Sequence, residues 1–507
     1  MVDTARAGSL LHPPGAAATP ATTPTPSDLG LDRVATALLA GRREYHLDEW
    51  FWTPLADVET VRHRQRAMAD LERPEVRDAV RAFAEGLAAV RTRLAAARTF
   101  RHVLQRDSAL LDAASTYTAT VAGFADGLRA ARPASAALAA LGERVTALAA
   151  SPAFARLAAD AAEVRTALGE VDYVLHVAGD RVRVTLPTGS ESDYSAEIEA
   201  VFDRFRQGAI RSHVTRPAEH AEMDHVEAAI AERVMDLHPQ PFALLGRFVA
   251  AHPDFVDPGL LHADRELQFL LAGVGLADRL RAAGLPACWP EVSATDGTID
   301  LRSAHDPALA LVHRDVVGND VVLAADERVA VVTGPNQGGK TTFARMIGAI
   351  THLAALGFPV PAAHARLPLP DAVLTHFGRA EDLADLRGAL EDDLVRLRGI
   401  LGTATPDSLV ILNELFSSTA VADAEQLSHT TLERVRALAC RCIWVTFLTE
   451  LAESPGVVSL VSQVDPVDPS VRTFRVIRKD PGGPTWAETL AVALGLDGDS
   501  LRRRLAR

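Results

Sequence analysis

From about Leu31 to Leu168 apolar residues recur at helical spacing within long Ala-, Leu- and Arg-rich segments. Val76, Val80, Phe83, Leu87 and Val90 make one such stripe, with Arg77, Arg81 and Glu85 on other faces, the pattern of an amphipathic helix with one buried side. The period then shortens to two. Tyr173-Val174-Leu175-His176-Val177 and Arg181-Val182-Arg183-Val184-Thr185-Leu186 flank Gly179-Asp180, which predicts a β-hairpin. Helical spacing returns at Ala196 to Phe205, Glu222 to Leu237 and Leu260 to Ala283. From about Val292 the pattern is mixed: β-branched runs at Val321–Leu323, Val329–Val332, Leu409–Leu412 and Ile443–Thr446 alternate with helical segments, as in an α/β nucleotide-binding domain. Residues 1–28 carry Pro13-Pro14 and several further prolines up to Pro26, lack apolar periodicity and read as disordered. The expected architecture is multidomain, α followed by α/β: a disordered segment over 1–28, a helical body over 29–290 with a hairpin insertion at about 170–215, and a nucleotide-binding domain over 291–507.

Composition narrows the class. The 507 residues are 48% hydrophobic and 23% charged, the balance of a globular protein with several cores. No apolar run is long enough to span a bilayer and no signal-peptide pattern opens the chain, so a cytoplasmic location without membrane attachment is expected. Cys288, Cys440 and Cys442 form neither a disulfide framework nor a zinc pattern and read as buried thiols. A net charge of −14 argues against a surface broadly coated for nucleic acid but leaves room for a local basic groove.

The candidate chemistry begins after Val329–Val332. Gly334-Pro335-Asn336-Gln337-Gly338-Gly339-Lys340-Thr341-Thr342 has the spacing of a phosphate-binding loop between a strand and a helix. Glycines let backbone N–H groups turn toward phosphate oxygens, and the helix N-terminus adds its dipole. Lys340, one of only two lysines in the chain, is placed to reach the β- and γ-phosphates of a nucleoside triphosphate, and the Thr341 hydroxyl to meet Mg²⁺. Some seventy residues later, Leu409-Val410-Ile411-Leu412 runs into Asn413-Glu414. Glu414 is positioned to polarise a water in line with the γ-phosphate, with Lys340 and Asn336 as its catalytic companions. Asn413 stands where an aspartate commonly organises Mg²⁺, so metal binding leans more on Thr341 and the phosphates.

These residues also carry a family likeness. Thr333 to Phe343 resembles the phosphate loop of MutS-type DNA mismatch-repair ATPases, where the Gly-Pro-Asn opening is far more diagnostic than the general pattern. Gly357-Phe-Pro-Val-Pro-Ala362, Gly378-Arg-Ala-Glu381-Asp382-Leu-Ala384 and Thr485 to Gly495 resemble further segments of the same domain, in order. With lower specificity, Asp48 to Leu55, Val61 to Met68, Glu266 to Ala283 and Trp289 to Pro307 resemble its helical core. The likeness implies a helical core and lever region, a small hairpin clamp that touches DNA, and then an ABC-like P-loop ATPase domain. It also implies ATP and Mg²⁺ as ligands and a homodimer with composite sites.

The chain departs from the family at several points. It starts at the helical core, so the N-terminal mismatch-reading domain is expected to be missing, and it ends soon after the last domain helix. Phe83-Ala84-Glu85 has the spelling of the family's mismatch reader but belongs to the helical stripe described above. Asn413 replaces the strand-end aspartate. The Gly-rich segment that caps the partner's nucleotide is rewritten Leu415-Phe416-Ser417-Ser418-Thr419-Ala420, leaving the hydroxyls of Ser417, Ser418 and Thr419 for that contact or for an N-cap. Val445-Thr446-Phe447 stands where the family has a γ-phosphate-sensing histidine. Val316 falls where an aromatic usually stacks on adenine, with Asn319 the matching residue nearby.

In the expected clamp, Arg204, Arg206 and Arg211, with Arg216 and His213, surround Phe202 and Phe205; such a cluster suits phosphate-backbone contacts, diluted by Glu197, Glu199 and Asp203. The reading is therefore an ATP-binding and ATP-hydrolysing, slow MutS-related ATPase that couples nucleotide state to branched or distorted DNA rather than to single mismatches. The alternative is a nucleotide-gated scaffold that hydrolyses little ATP and recruits proteins.

Overall fold

The structure, a computed structural model, describes residues 8–15, 20–21, 27–179, 181–189, 222–378, 388–417, 419–465, 468 and 471–480, together with 496, 498 and 502. It is mixed, helical and α/β, and divides into two compact units. The first comprises Met1–Pro74, Pro133–Leu138 and Arg265–Arg507; the second, Glu75–Arg132 and Ala139–Asp264.

The second unit is built mainly from helices Pro74–Thr99, Val103–Ala131, Ala136–Ala149, Pro152–Gly169, His225–Leu237 and Pro239–Ala251. The predicted stripe is its core: Val76, Val80, Phe83, Leu87 and Val90 are all buried. Phe83 lies stacked on Phe124 with ring centroids 4.0 Å apart, which confirms it as a packing residue. The hairpin forms where the alternation placed it. β1 (Val174–Ala178) pairs antiparallel with β2 (Arg181–Thr185), and Gly179 supplies the left-handed residue of the turn. Leu175 and Val177 oppose Val184 and Val182 on one face, while His176 and Arg183 face each other on the other.

The first unit holds two sheets. β3 (Glu291–Ser293), β4 (Ile299–Ala304), β5 (Asn319–Leu323) and β7 (His364–Pro368) form one, in the order β3-β7-β4-β5. β6 (Val329–Thr333), β8 (Val373–His376), β9 (Leu409–Asn413), β10 (Arg441–Val445), β11 (Val457–Val464) and β12 (Arg472–Arg478) form the other. Its order is β12-β11-β6-β10-β9-β8, parallel except for the β11–β12 pair. β6, β9 and β10 are buried along their whole lengths, which is why they read as continuous apolar runs; β7, β8, β11 and β12 carry more polar residues and escaped notice. A parallel sheet opens its crevice at the carboxyl ends of its strands, and that is where Gly334 and Glu414 follow β6 and β9.

The expectation of disorder over 1–28 fails at Ser9–Leu11. Leu10 and Leu11 are fully buried, and the Glu266 carboxylate accepts both the Ser9 hydroxyl and, at 2.8 Å, the Leu10 N–H. Buried Arg64 donates to Leu11 O at 3.1 Å and to Leu356 O at 3.3 Å, so this short peptide is fixed beside the C-terminal end of helix Lys340–Ala355. Two leucines and a carboxylate-bonded backbone outweigh the proline-rich composition around them. Cys440 and Cys442 are buried as expected, whereas Cys288 is only partly so. No described helix is long and apolar enough to cross a membrane.

Candidate functional site

β6 delivers the chain into a loop with three left-handed residues: Gly334 (φ 120°), Gln337 (φ 60°) and Gly339 (φ 90°), the last forming the N-cap of helix Lys340–Ala355. The N–H groups of that first turn have no partner within the helix and face the loop. Strand β11 braces it. A Cβ on Gly334 would lie 2.9 Å from Ser462 O and 3.0 Å from Ser462 N, and the Ser462 hydroxyl donates to Gly338 O at 2.6 Å.

The Lys340 side chain is buried and folds back over its own loop. Its ammonium donates to Gly334 O at 2.9 Å and Pro335 O at 3.1 Å, and stands 3.4 Å from Asn336 Oδ1. Burial pulls its pKa below the usual lysine value; nearby Glu414 opposes this shift and Arg472 reinforces it. The Thr341 hydroxyl donates to Asn413 Oδ1 at 2.8 Å, joining residues that the sequence keeps 72 positions apart. Glu414 follows immediately, exposed, with its N–H bonded to Val445 O at 2.9 Å. Lys340, Thr341, Asn413 and Glu414 are thus brought together at the ends of β6 and β9. Asn336 and Gln337 are exposed at the loop tip, while Pro335 and Gly338 are buried beneath it.

Beyond β9 the backbone again turns left-handed, at Glu414 (φ 51°) and Phe416 (φ 60°), neither of them glycine. Each such residue costs about 1–3 kcal/mol and needs its surroundings to hold it. Phe416 is fully buried in a cluster with Leu412, Leu415 and Trp444. Ser417 is exposed and Thr419 partly buried, its N–H reaching Phe416 O at 3.3 Å; Ser418 lies outside the described residues. At the end of β10 the Thr446 N–H donates to Val332 O, and Phe447 is 44% exposed, offering no ring nitrogen toward the site.

A cavity of about 390 Å³ opens beside this group. Gln337, Lys340, Thr341, Thr342 and Glu414 line its polar side; Leu309, Val316, Met346 and Phe474 line an apolar wall. Asn319 also borders it, but its amide is engaged elsewhere. The NH₂ donates to Phe474 O at 3.2 Å and Oδ1 accepts the Val476 N–H at 2.8 Å, so Asn319 chiefly pins β12. Phe474, left-handed at φ 58° and half exposed, was not singled out by the sequence. Nothing local marks it, because its place on the wall depends on β12 pairing with β11 beside the loop.

No group of three or more potential metal-ligating carboxylates, imidazoles or thiols occurs among the described residues. Thr341, on the cavity, and Asn413, bonded to it, instead offer two neutral, hard oxygens, a donor set that fits Mg²⁺ when phosphates supply the negative charge. Arg204, Arg206 and Arg211 lie outside the described residues, as do the family-like segments 379–384 and 485–495.

Comparison with known proteins follows the same region. A family model described as MutS domain V matches residues 330–472, from β6 to the start of β12. The chain is 28% identical over 225 residues to the DNA mismatch repair protein MutS of Thermotoga petrophila, covering 44% of this chain and 27% of that protein. It is 32% identical over 241 residues to the protein of that name from Symbiobacterium thermophilum, covering 46% of this chain and 27% of the relative. The likeness to the Lachnoclostridium phytofermentans protein of the same name is 31% over 179 residues, 34% of this chain and 19% of that one. The chain therefore spans only about a quarter of the length of the first two curated relatives. The family match takes in both loops and the polar side of the cavity, while Leu309, Val316, Asn319 and Phe474 lie outside it, and the chain is a MutS-related protein.

Proposed function

We propose that this chain binds ATP in the cavity beside Lys340, hydrolyses it with Glu414 as the water-polarising carboxylate, and couples its nucleotide state to DNA. The observation that carries the reading is that Lys340, Thr341 and Glu414 line one cavity, with Asn413 bonded to Thr341, within the region that matches MutS domain V. Loop N–H groups and the helix N-terminus receive the phosphate oxygens, and the Lys340 ammonium exchanges its carbonyl partners for the β- and γ-phosphates. The base rests on the apolar wall of Val316, Met346 and Phe474. Glu414 accepts the proton of the attacking water as the bond between the γ-phosphorus and ADP breaks, giving ADP and phosphate. Thr341 and Asn413 would hold Mg²⁺, which when bound offsets the phosphate charge.

DNA as the partner is supported by the names of the relatives, which are DNA mismatch repair proteins. We assign the preference to branched or distorted duplex, held by shape through backbone contacts from Arg204, Arg206 and Arg211. A homodimer in which Ser417, Ser418 and Thr419 approach the partner's nucleotide completes the reading. Steady-state phosphate release, with and without mismatched, branched and plain duplexes, tests it. Turnover that disappears in Glu414→Gln while a fluorescent ATP analogue still binds supports an ATPase. Background release from both proteins would instead favour a nucleotide-gated scaffold, the reading to which Asn413 and Phe447 lend weight. Sedimentation with and without ATP tests the dimer.

A further inference from the structure

Strands β11 and β12 follow the phosphate loop along its length. From β11, Ser462 braces Gly334 and Gly338. On β12, a Cβ added to Gly339 would lie 3.6 Å from the Phe474 Cα. Between these contacts, at the exposed loop tip, Arg472 Nε donates to Asn336 O at 3.3 Å, across 136 positions of sequence. Arg472 opens β12 opposite Val464 on β11, so strand pairing fixes its backbone beside the loop. Asn336 is engaged from its other side as well, because its Oδ1 stands 3.4 Å from the Lys340 ammonium. Lys340 also holds Gly334 O and Pro335 O, so three successive carbonyls of the loop carry two cations. Two like charges gathered on one loop repel each other, and an anion placed between them relieves that repulsion. The effect is felt at Lys340: burial lowers its pKa, Glu414 opposes the change, and Arg472 adds to the lowering.

We propose that Arg472 binds the nucleotide directly, forming with Lys340 a two-cation grip on the terminal phosphate of a triphosphate. This role rests on the ATP-binding reading above and adds to it a residue that tells triphosphate from diphosphate. Lys340 and Gln337 line the cavity, whereas Asn336 and Arg472 do not, so the guanidinium stands at the rim beside the polar side of the site. A phosphate chain long enough to pass Gln337 meets the guanidinium; a shorter one stops at Lys340. Arginine suits that place, because its planar fork of N–H donors matches phosphate oxygens and keeps its charge at any working pH. On binding, the guanidinium turns from the Asn336 carbonyl to the phosphate, as the Lys340 ammonium does from its own carbonyl partners.

Thermal-shift titrations of the full chain with ATP, ADP and inorganic tripolyphosphate, each with Mg²⁺, test this grip in the wild type, Arg472→Gln, Arg472→Lys and Arg475→Gln. Glutamine keeps a donor for the Asn336 carbonyl and removes the charge. In Arg472→Gln, ATP affinity is expected to fall about 10-fold, the scale of a charge-assisted hydrogen bond, and ADP affinity by less than about twofold. Arg472→Lys, which keeps the charge without the fork, should recover a part of the ATP affinity. Arg475→Gln removes an equal charge from an exposed position of the same strand and should leave ATP affinity within about twofold. Equal losses for ATP and ADP in Arg472→Gln would make Arg472 a strut of the loop and overturn the proposal. No loss for either nucleotide overturns it too, as does an equal loss of ATP affinity in Arg475→Gln. Wild-type protein that binds tripolyphosphate but not ATP removes the ATP reading, and the tripolyphosphate affinity of Arg472→Gln then decides the grip by itself. Wild-type protein that binds none of the three overturns both.

Discussion

In the loop after β6 the chain turns through positive φ mainly at Gly334 and Gly339, whereas in the loop after β9 the same region is taken by Glu414 and Phe416. The first loop meets its backbone demand locally. Glycine enters the left-handed region without steric cost, and Gly334 also makes room for the Ser462 backbone. The second meets the demand through tertiary contacts: a fully buried aromatic ring in one cluster with Leu397 of helix Ala389–Thr403, and a strand neighbour that receives the Glu414 N–H. A loop of the first kind can be read from its own residues. One of the second kind exists only once helix Ala389–Thr403 and strands β8 and β10 are packed around it.

The difference can be tested from both sides. The largest effect is expected at the reacting group: Glu414→Gln should lower the rate of ATP turnover by about 10²–10⁴-fold at unchanged stability, measured by phosphate release and urea unfolding. Equal losses of rate and fold would mean that Glu414 serves the loop rather than the chemistry. Next, Phe416→Ala removes the ring that anchors the second loop and should cost about 3–5 kcal/mol in urea unfolding. A loss below about 1 kcal/mol would show that the loop holds itself.

The helix shared by the first loop offers a third probe at its other end. His352 is fully buried, its Nε2 2.9 Å from Phe51 O, and burial lowers its pKa to about 4 despite that contact. The fold holds the neutral imidazole, while the unfolded chain takes up a proton below about pH 6.5. Stability from this group is therefore complete above about pH 6.5, is lost as pH falls toward 4, and amounts to about 3 kcal/mol across that window. Urea midpoints at pH 7, 5.5 and 4 should follow that slope, and His352→Gln should flatten it. The smallest effect is expected for Gly334→Ala, about 2 kcal/mol from the strained φ and the approach to Ser462. Its nucleotide affinity should fall together with its stability; intact affinity in a thermal-shift titration would argue that the loop tolerates a Cβ and that glycine is not what shapes it.

Much of the candidate site was legible in advance for the same reason that the first loop is. β6 and β9 are flanked by neighbouring strands and covered on both faces, so their sequences are uninterrupted apolar runs, and the phosphate-loop pattern follows one of them directly. The hairpin was legible because alternation and Gly179-Asp180 agree on it. What escaped notice depends on partners distant in the chain. Asn319 was expected to face a nucleotide, yet both ends of its amide are used by β12. Phe474 lies in a strand spaced by arginines, where an aromatic carries no signal of its own. Ser9–Leu11 sits in a proline-rich stretch whose composition says nothing of Glu266 or Arg64 waiting more than fifty residues away.

The sequence by itself determined where the candidate loop lies, because glycine spacing, a buried strand and a scarce lysine are properties of contiguous residues. It determined equally the helical character of Glu75 to Gly169 and the alternation that makes the hairpin. Only the tertiary structure decided that Thr341 meets Asn413, that Phe416 can stand where its backbone requires a left-handed turn, and that its ring is buried in one cluster with Leu397 and Trp444. Those outcomes are set by strand order and helix placement, which bring distant segments within hydrogen-bond reach, and a local pattern carries no record of that distance.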